Sequence, residues 1–230
     1  MNPKEVVQKV SNPFLRVLLQ KKAMVILSNW FVQSFLYMNN YERLCKIIWE
    51  VFLFLPIFYV FKTFLSLYLA ITASLLFSHT LNWLFNGHFY GLVKEFGGVS
   101  TSPKVFLTYL DGIYERFSNK SFIMGAAIFG SIARGEYKPS SDLDFRLFIK
   151  PGFWNGLAAS HLCLIERFRA FLNKFPLDIY AFSLEEVKNK MRADEIPIIL
   201  YDPEGKLVQA YPKAKFFKEF RKEFAQKYLL

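Results

Sequence analysis

Phe129-Gly130-Ser131-Ile132-Ala133-Arg134-Gly135, followed after five residues by Ser141-Asp142-Leu143-Asp144-Phe145, is the stretch on which the fold of this chain turns. It follows a short apolar run, Phe122 to Phe129, and leads into a second, Leu143 to Ile149. Both runs are too short for helices and read as strands. A strand that ends in Gly-Ser and turns into a helix leaves backbone N–H groups pointing outward. Such a corner binds phosphate, because the amides and the helix dipole favour an anion and glycine lets it approach. Ser131 adds a hydroxyl for a phosphate oxygen. Asp142 and Asp144, two apart on a strand, point to one face. Adjacent carboxylates repel each other, and a bound divalent cation is the usual compensation. A phosphate cradle beside paired Asp reads as Mg²⁺–nucleotide chemistry. Each part alone is common: Gly-Ser often only turns the chain, Asp-x-Asp occurs in exposed loops, and Arg134 could be a solvated helix residue. Their order, with twelve residues from Gly130 to Asp142, gives them meaning together.

Around this stretch, residues 100–230 hold 20 Lys and Arg and 15 Asp and Glu, the charge density of a soluble domain. Ser102 caps a helix with Pro103 at its first position. Val105, Phe106, Tyr109, Leu110, Ile113 and Phe117 then recur at helical period. Downstream, a helix is expected from about Asn155 to Asn173 and a third strand from Leu177 to Phe182. Ser183 and Glu186 form a capping box for a helix to about Arg192. A fourth strand spans Ile196 to Tyr201, Asp202-Pro203-Glu204-Gly205 makes a turn, and Lys206 to Gln209 a short return strand. Strands alternating with helices predict an α+β domain, a mixed sheet with helical cover.

The pattern resembles the DNA polymerase β-type nucleotidyltransferase superfamily, whose signature is hydrophobic-Gly-Ser, a further Gly, then Ser-Asp-x-Asp. Its small, minimal members are the nearest likeness, so an α/β-type nucleotidyltransferase domain is expected. The resemblance implies transfer of a nucleoside monophosphate from an NTP such as ATP to a hydroxyl. It implies two Mg²⁺ ions, or Mn²⁺ in their place, on Asp142 and Asp144. A third carboxylate is carried over to Asp178 in Leu177-Asp178-Ile179, where it completes the acceptor-side metal and takes the hydroxyl proton. Asp is independently notable there, because strands disfavour it and burial is costly. Gly130, Ser131, Arg134 and Ser141 are the implied nucleotide-binding residues, and Asp202 a turn residue. Arg146 stands on the Asp142/Asp144 face where the family commonly has an apolar side chain. A carboxylate and a phosphate are both open to it as partners.

Upstream the composition is different. The 230 residues are 53% hydrophobic and 19% aromatic with a mean hydropathy of +0.20, which excludes a disordered chain. Two cysteines, Cys45 and Cys163, exclude a disulfide scaffold. Ile47 to Val93 carries only two charges, Glu50 and Lys62, and Thr63 to Val93 none. A bilayer core needs ~20 apolar residues per helix, so transmembrane helices are expected near 45–61 and 64–85, joined by an outer turn at Phe61-Lys62-Thr63. A hairpin buried in a soluble protein is the alternative. The segment 23–41 is uncharged but amphipathic and reads as a helix lying in the interface. Lys4, Lys9, Arg16, Lys21, Lys22, Arg43 and Lys46 before the first span, and Lys94 and Lys104 after the second, place both termini and the catalytic domain in the cytoplasm. Trp49, Trp83, Tyr59 and Tyr90 are candidate interface anchors. The expected division is thus a membrane domain, 1–99, and a nucleotidyltransferase domain, 100–230.

Ser66, Ala70, Ser74 and Ser78 line one face of the second span, fit for close approach to the first span or to a second protomer in a homo-oligomer. His79 beside this stripe reads as a hydrogen-bonded packing residue rather than a proton relay, and His88 and His161 have no partners at metal-ligand spacing. The net charge of +10 divides evenly about residue 100 and so does not single out nucleic acid. Lys213 to Lys227 concentrates six basic residues among Phe216, Phe217, Phe220 and Phe224. Contact with anionic membrane lipids and packing of the Phe face on the domain both fit that tail. The main reading is a membrane-anchored nucleotidyltransferase whose acceptor is lipid-linked or membrane-proximal rather than nucleic acid. A toxin–antitoxin-type enzyme modifying protein or RNA, and a catalytically silent nucleotide-binding regulatory module, are the other two.

Overall fold

The computed structural model describes residues 21–33, 35–86, 89–94, 98, 100–191 and 195–229. Lys4, Lys9, Arg16 and His88 lie outside them. Helix α1 spans Lys22–Val32, α2 Asn40–Phe61, α3 Leu67–Asn86 and α4 Phe89–Lys94. Then follow α5 Pro103–Phe117, β1 Ile123–Phe129, α6 Gly130–Ala133, β2 Leu143–Ile149, α7 Phe153–Leu172 and β3 Leu177–Phe182. The chain continues through α8 Leu184–Lys190, β4 Ile198–Tyr201, α9 Lys206–Ala210, β5 Lys215–Phe216 and α10 Phe217–Lys227.

The five strands form one mixed sheet in the order β3-β2-β1-β4-β5. β1 is antiparallel to β2 and β4, whereas β2–β3 and β4–β5 are parallel. The fold is α+β, with two long apolar helices before the domain. Period two sorts the strand residues onto two faces. Leu143, Phe145, Leu147, Leu177 and Ile179 join one core with Phe106, Phe117 and Cys163 of α5 and α7. Phe129, Phe148, Tyr180 and Phe182 join the other with Met38, Val187 and Leu207. Phe106, Phe117, Phe129, Phe145, Phe148 and Phe182 are fully buried, each worth about 2 kcal/mol of transfer free energy.

Local signals specify several boundaries. Ser102 accepts from Val105 N–H with Pro103 at the helix start. Ser183 and Glu186 form both bonds of the capping box. Two expectations fail. Residues 206–210 form a helix, entered through Gly205 in the left-handed region, instead of a return strand. The helix expected over 23–41 ends at Val32, because Gln33 is left-handed and the chain turns so that Met38 and Asn39 can bury against the sheet. Asn39 Nδ2 donates to Ala181 O at 2.6 Å.

α2 and α3 are long and apolar enough to cross a membrane, and only 11% and 28% of their apolar windows are buried within the protein. Their contacts with each other use the polar residues. Glu50 accepts from Ser78 at 2.9 Å and Asn82 at 2.6 Å. Ala70, Ser74 and Ser78 are fully buried at the hairpin's inner face, so these three residues of the small-residue stripe serve contact within the chain, while Ser66 is exposed. α1 turns its polar side to α3: Trp83 donates to Asn29, Trp30 to Thr80, and Gln33 to the His79 carbonyl. Trp83 is therefore a buried packing residue, not an interface anchor, while Tyr59 is exposed and Trp49 stacks on His161. The basic tail buries Phe217, Phe220 and Phe224 on the domain, leaving Phe216 exposed.

The hairpin and the domain meet at Arg167 of α7. Its guanidinium donates to Glu42 at 2.7 Å, to Asn86 at 2.8 Å and to the Ile179 carbonyl. One side chain of the domain thereby holds the start of α2 and the end of α3.

Candidate active site

The β2–β3 register sets Asp144 directly across from Asp178, and on its other side Asp144 faces Phe129, the last residue of β1. The turn at Gly130 and the two carboxylates are neighbours because the backbone makes them so. Gly130 has φ +72°, and a Cβ built on it would lie 2.0 Å from Asp144 Oδ2. Glycine is needed there both for its conformation and for the carboxylate pressed against it.

Ser131 lies in the single turn of α6, and Arg134 follows it at the helix end. Arg134 is paired with Glu136 at 3.3 Å. The Gly130 N–H, the first donor of the expected phosphate cradle, donates at 2.7 Å to the Glu195 carboxylate, which also lies 3.7 Å from Arg134. A protein carboxylate thus stands where a phosphate was expected. Ser141 is buried, and its hydroxyl oxygen accepts from Lys138 N–H to close the turn before β2.

Asp142 ends that turn, partly exposed and close enough to Asp144 to perturb it. Burial pushes the Asp144 carboxyl well up from the ordinary carboxylate range; the Asp178 charge and a shared hydrogen bond with Asp178 push the same way, and Arg146 opposes them. Arg146 is itself buried. Its Nη2 lies 2.9 Å from Asp178 Oδ2 and 3.7 Å from Asp144 Oδ1. Its Nη1 donates to the Asp178 carbonyl at 2.8 Å and the Phe145 carbonyl at 3.0 Å. The Tyr180 and Tyr37 rings lie 5.2 and 5.9 Å from the guanidinium carbon. Of the two partners open to Arg146, the structure shows the carboxylate.

Among the described residues, no three His, Cys, Asp or Glu side chains are gathered as a ready metal site. The oxygen donors of Asp142 and Asp144 suit one hard divalent cation. The other half of the expected ion pair, Asp144 with Asp178, already carries a guanidinium. A divalent ion 4 Å from that charge would be repelled by about 8 kcal/mol at an effective dielectric of 20.

Sequence reasoning missed Glu195 and Tyr37. Glu195 sits in a short polar stretch of sequence with no motif, and Tyr37 in a segment whose amphipathic pattern predicts a helix; only the tertiary fold brings them to the site.

A family model described as a nucleotidyltransferase domain matches residues 110–226. No curated protein and no solved structure gives a significant match.

Proposed function

Because the chain belongs to the nucleotidyltransferase domain family, we propose that it moves a nucleoside monophosphate from an NTP to a hydroxyl acceptor at the cytoplasmic surface of a membrane. The observation that carries the reading is the strand register that sets Gly130, Asp144 and Asp178 side by side.

In this reading Gly130 N–H, Ser131 and Arg134 receive the β- and γ-phosphates; of these, the Gly130 N–H and Arg134 now face Glu195. Asp142 and Asp144 hold a divalent cation. When bound, that cation offsets charge on the phosphates and on the leaving group. Asp178 accepts a hydrogen bond from the acceptor hydroxyl and takes its proton. The acceptor oxygen bonds to the α-phosphorus, the bond to the bridging oxygen breaks, and pyrophosphate leaves.

The membrane part rests on α2 and α3, whose outward faces are apolar and exposed while their polar residues face each other. Residues 1–99 serve as membrane segment and 100–230 as catalytic segment, with both termini cytoplasmic and α2–α3 crossing twice. A catalytic domain fixed by Arg167 to the bilayer favours a lipid-linked or membrane-proximal acceptor. The test is detergent-solubilised full chain with labelled NTPs, Mg²⁺, membrane lipids or RNA. Label in the lipid fraction is expected. Label on protein or RNA would replace the acceptor with that of a modifying enzyme. No pyrophosphate above a D142N/D144N control would make the protein a silent nucleotide-binding module and end the enzyme reading.

A further inference from the structure

We propose that Arg146 takes the place of the acceptor-side cation, so that the site binds one divalent ion per chain instead of two. The inference deepens the nucleotidyl-transfer reading and rests on it.

A cation shared by two carboxylates must lie close to an oxygen of each. Nη2 of Arg146 does so, at 2.9 Å from Asp178 Oδ2 and 3.7 Å from Asp144 Oδ1. The guanidinium is not a surface group that swings aside when an ion arrives. It is on β2, two residues beyond Asp144, so the pleat fixes it on the same face. Two backbone carbonyls, of Phe145 and Asp178, hold Nη1 from behind. Tyr180, its register partner on β3, and Tyr37 lie against it. Tyr37 is held in turn by edge contacts to Tyr180 and Phe182 and by Lys190, whose ammonium donates to the Tyr37 carbonyl. To vacate the position, Arg146 would have to break three hydrogen bonds and unpack the segment that leads into α2. One divalent ion and one guanidinium also balance the three carboxylates Asp142, Asp144 and Asp178. Arg146 is here a charge partner and positioning residue for Asp178.

The test counts ions. Full-length protein in detergent is mixed with Mn²⁺ and an NTP analogue whose α,β-bridge cannot be cleaved, and bound Mn²⁺ is read by electron paramagnetic resonance. One Mn²⁺ per chain without spin coupling is expected. Arg146→Met, which keeps the bulk and removes the charge, is expected to gain a second, spin-coupled ion. Should that variant not fold, Asp178→Asn supplies the second measurement: it is expected to keep the affinity of the single ion within about threefold, because Asp178 serves Arg146 and not a metal. Two ions on the wild type, an unchanged count in folded Arg146→Met, or a tenfold loss of affinity in Asp178→Asn would each overturn the inference while leaving nucleotidyl transfer standing. No bound Mn²⁺ at all would overturn both.

Discussion

Arg146 and Arg167 are both buried arginines, both lie about 5 Å from the Tyr180 ring, and both bond to the backbone of β3, yet they do different work. Arg167 faces Glu42, a carboxylate as buried as itself, and Asn86; its surroundings are closed to water. Arg146 faces Asp178 and Asp144, whose side chains are about a quarter exposed, and its Nε has no hydrogen-bond partner among the described residues. A guanidinium whose carboxylate is sealed in makes a joint. One whose carboxylates still reach solvent makes part of a site.

The difference can be broken from either side. At the site, Asp144→Asn is expected to cost the most in function, on the order of 10⁴-fold in turnover or about 5.5 kcal/mol of barrier. It should leave thermal stability unchanged or raised, because the native carboxyl, partly buried and facing Asp178, is held away from its charged form. Pyrophosphate release and a melting curve on one preparation decide it; a large fall in melting temperature would make Asp144 structural. At the joint the balance inverts. Arg167→Met strands Glu42 without its cation and should destabilise the protein by about 3–5 kcal/mol, as for other broken buried pairs. Adding Glu42→Gln should recover part of that loss. A single substitution that melts like the wild type would remove Arg167 from its role.

The two regions also differ in how far they could be read from the residues alone. β1, β2 and β3, the Ser102 cap and the Ser183–Glu186 box were legible because each is a local pattern. The order of Gly-Ser and Asp-x-Asp was legible too, but the antiparallel pairing that presses Asp144 against Gly130 was not, because strand pairing leaves no mark in either motif. The Arg167–Glu42 pair spans 125 positions and Gly130–Glu195 spans 65, and neither separation leaves a pattern. The Lys206–Ala210 helix is too short to show a period, and the phenylalanines of α10 have the same spacing whether they face lipid or the domain.

The site should also respond to pH. Asp144 must give up its proton to bind a cation, and its pKa is raised, so metal binding releases a proton over a window above the ordinary carboxylate range. Apparent Mn²⁺ affinity should rise with pH, by up to tenfold per unit, and level off once Asp144 is ionised. The metal-free protein should show the opposite trend: a carboxyl whose folded pKa is raised contributes stability that is present at low pH and lost as pH rises through that pKa. Melting curves with and without Mn²⁺ between pH 5 and 9 test both. Flat Mn²⁺ affinity across that range would mean that Asp144 already binds as a carboxylate at the lowest pH.

The smallest expected effect belongs to Glu195, which meets the same N–H and the same guanidinium that the proposed function assigns to the phosphates. A triphosphate must displace it, giving up a charge-assisted hydrogen bond worth about 1.5–3 kcal/mol when both partners are dry. Arg134 is nearly half exposed and the displaced carboxylate regains water, so the net cost is lower, about 1 kcal/mol. Glu195→Gln keeps the shape but removes the charge. It should therefore tighten NTP binding about fivefold, read by titrating an uncleavable analogue at fixed Mn²⁺, and leave the ion count unchanged. Weaker binding in this variant would show that Glu195 does not compete with the phosphates but helps to hold the turn that receives them. The contrast with Glu42 is then complete: there a carboxylate is kept by its arginine, while at Gly130 it only stands in until a stronger anion arrives.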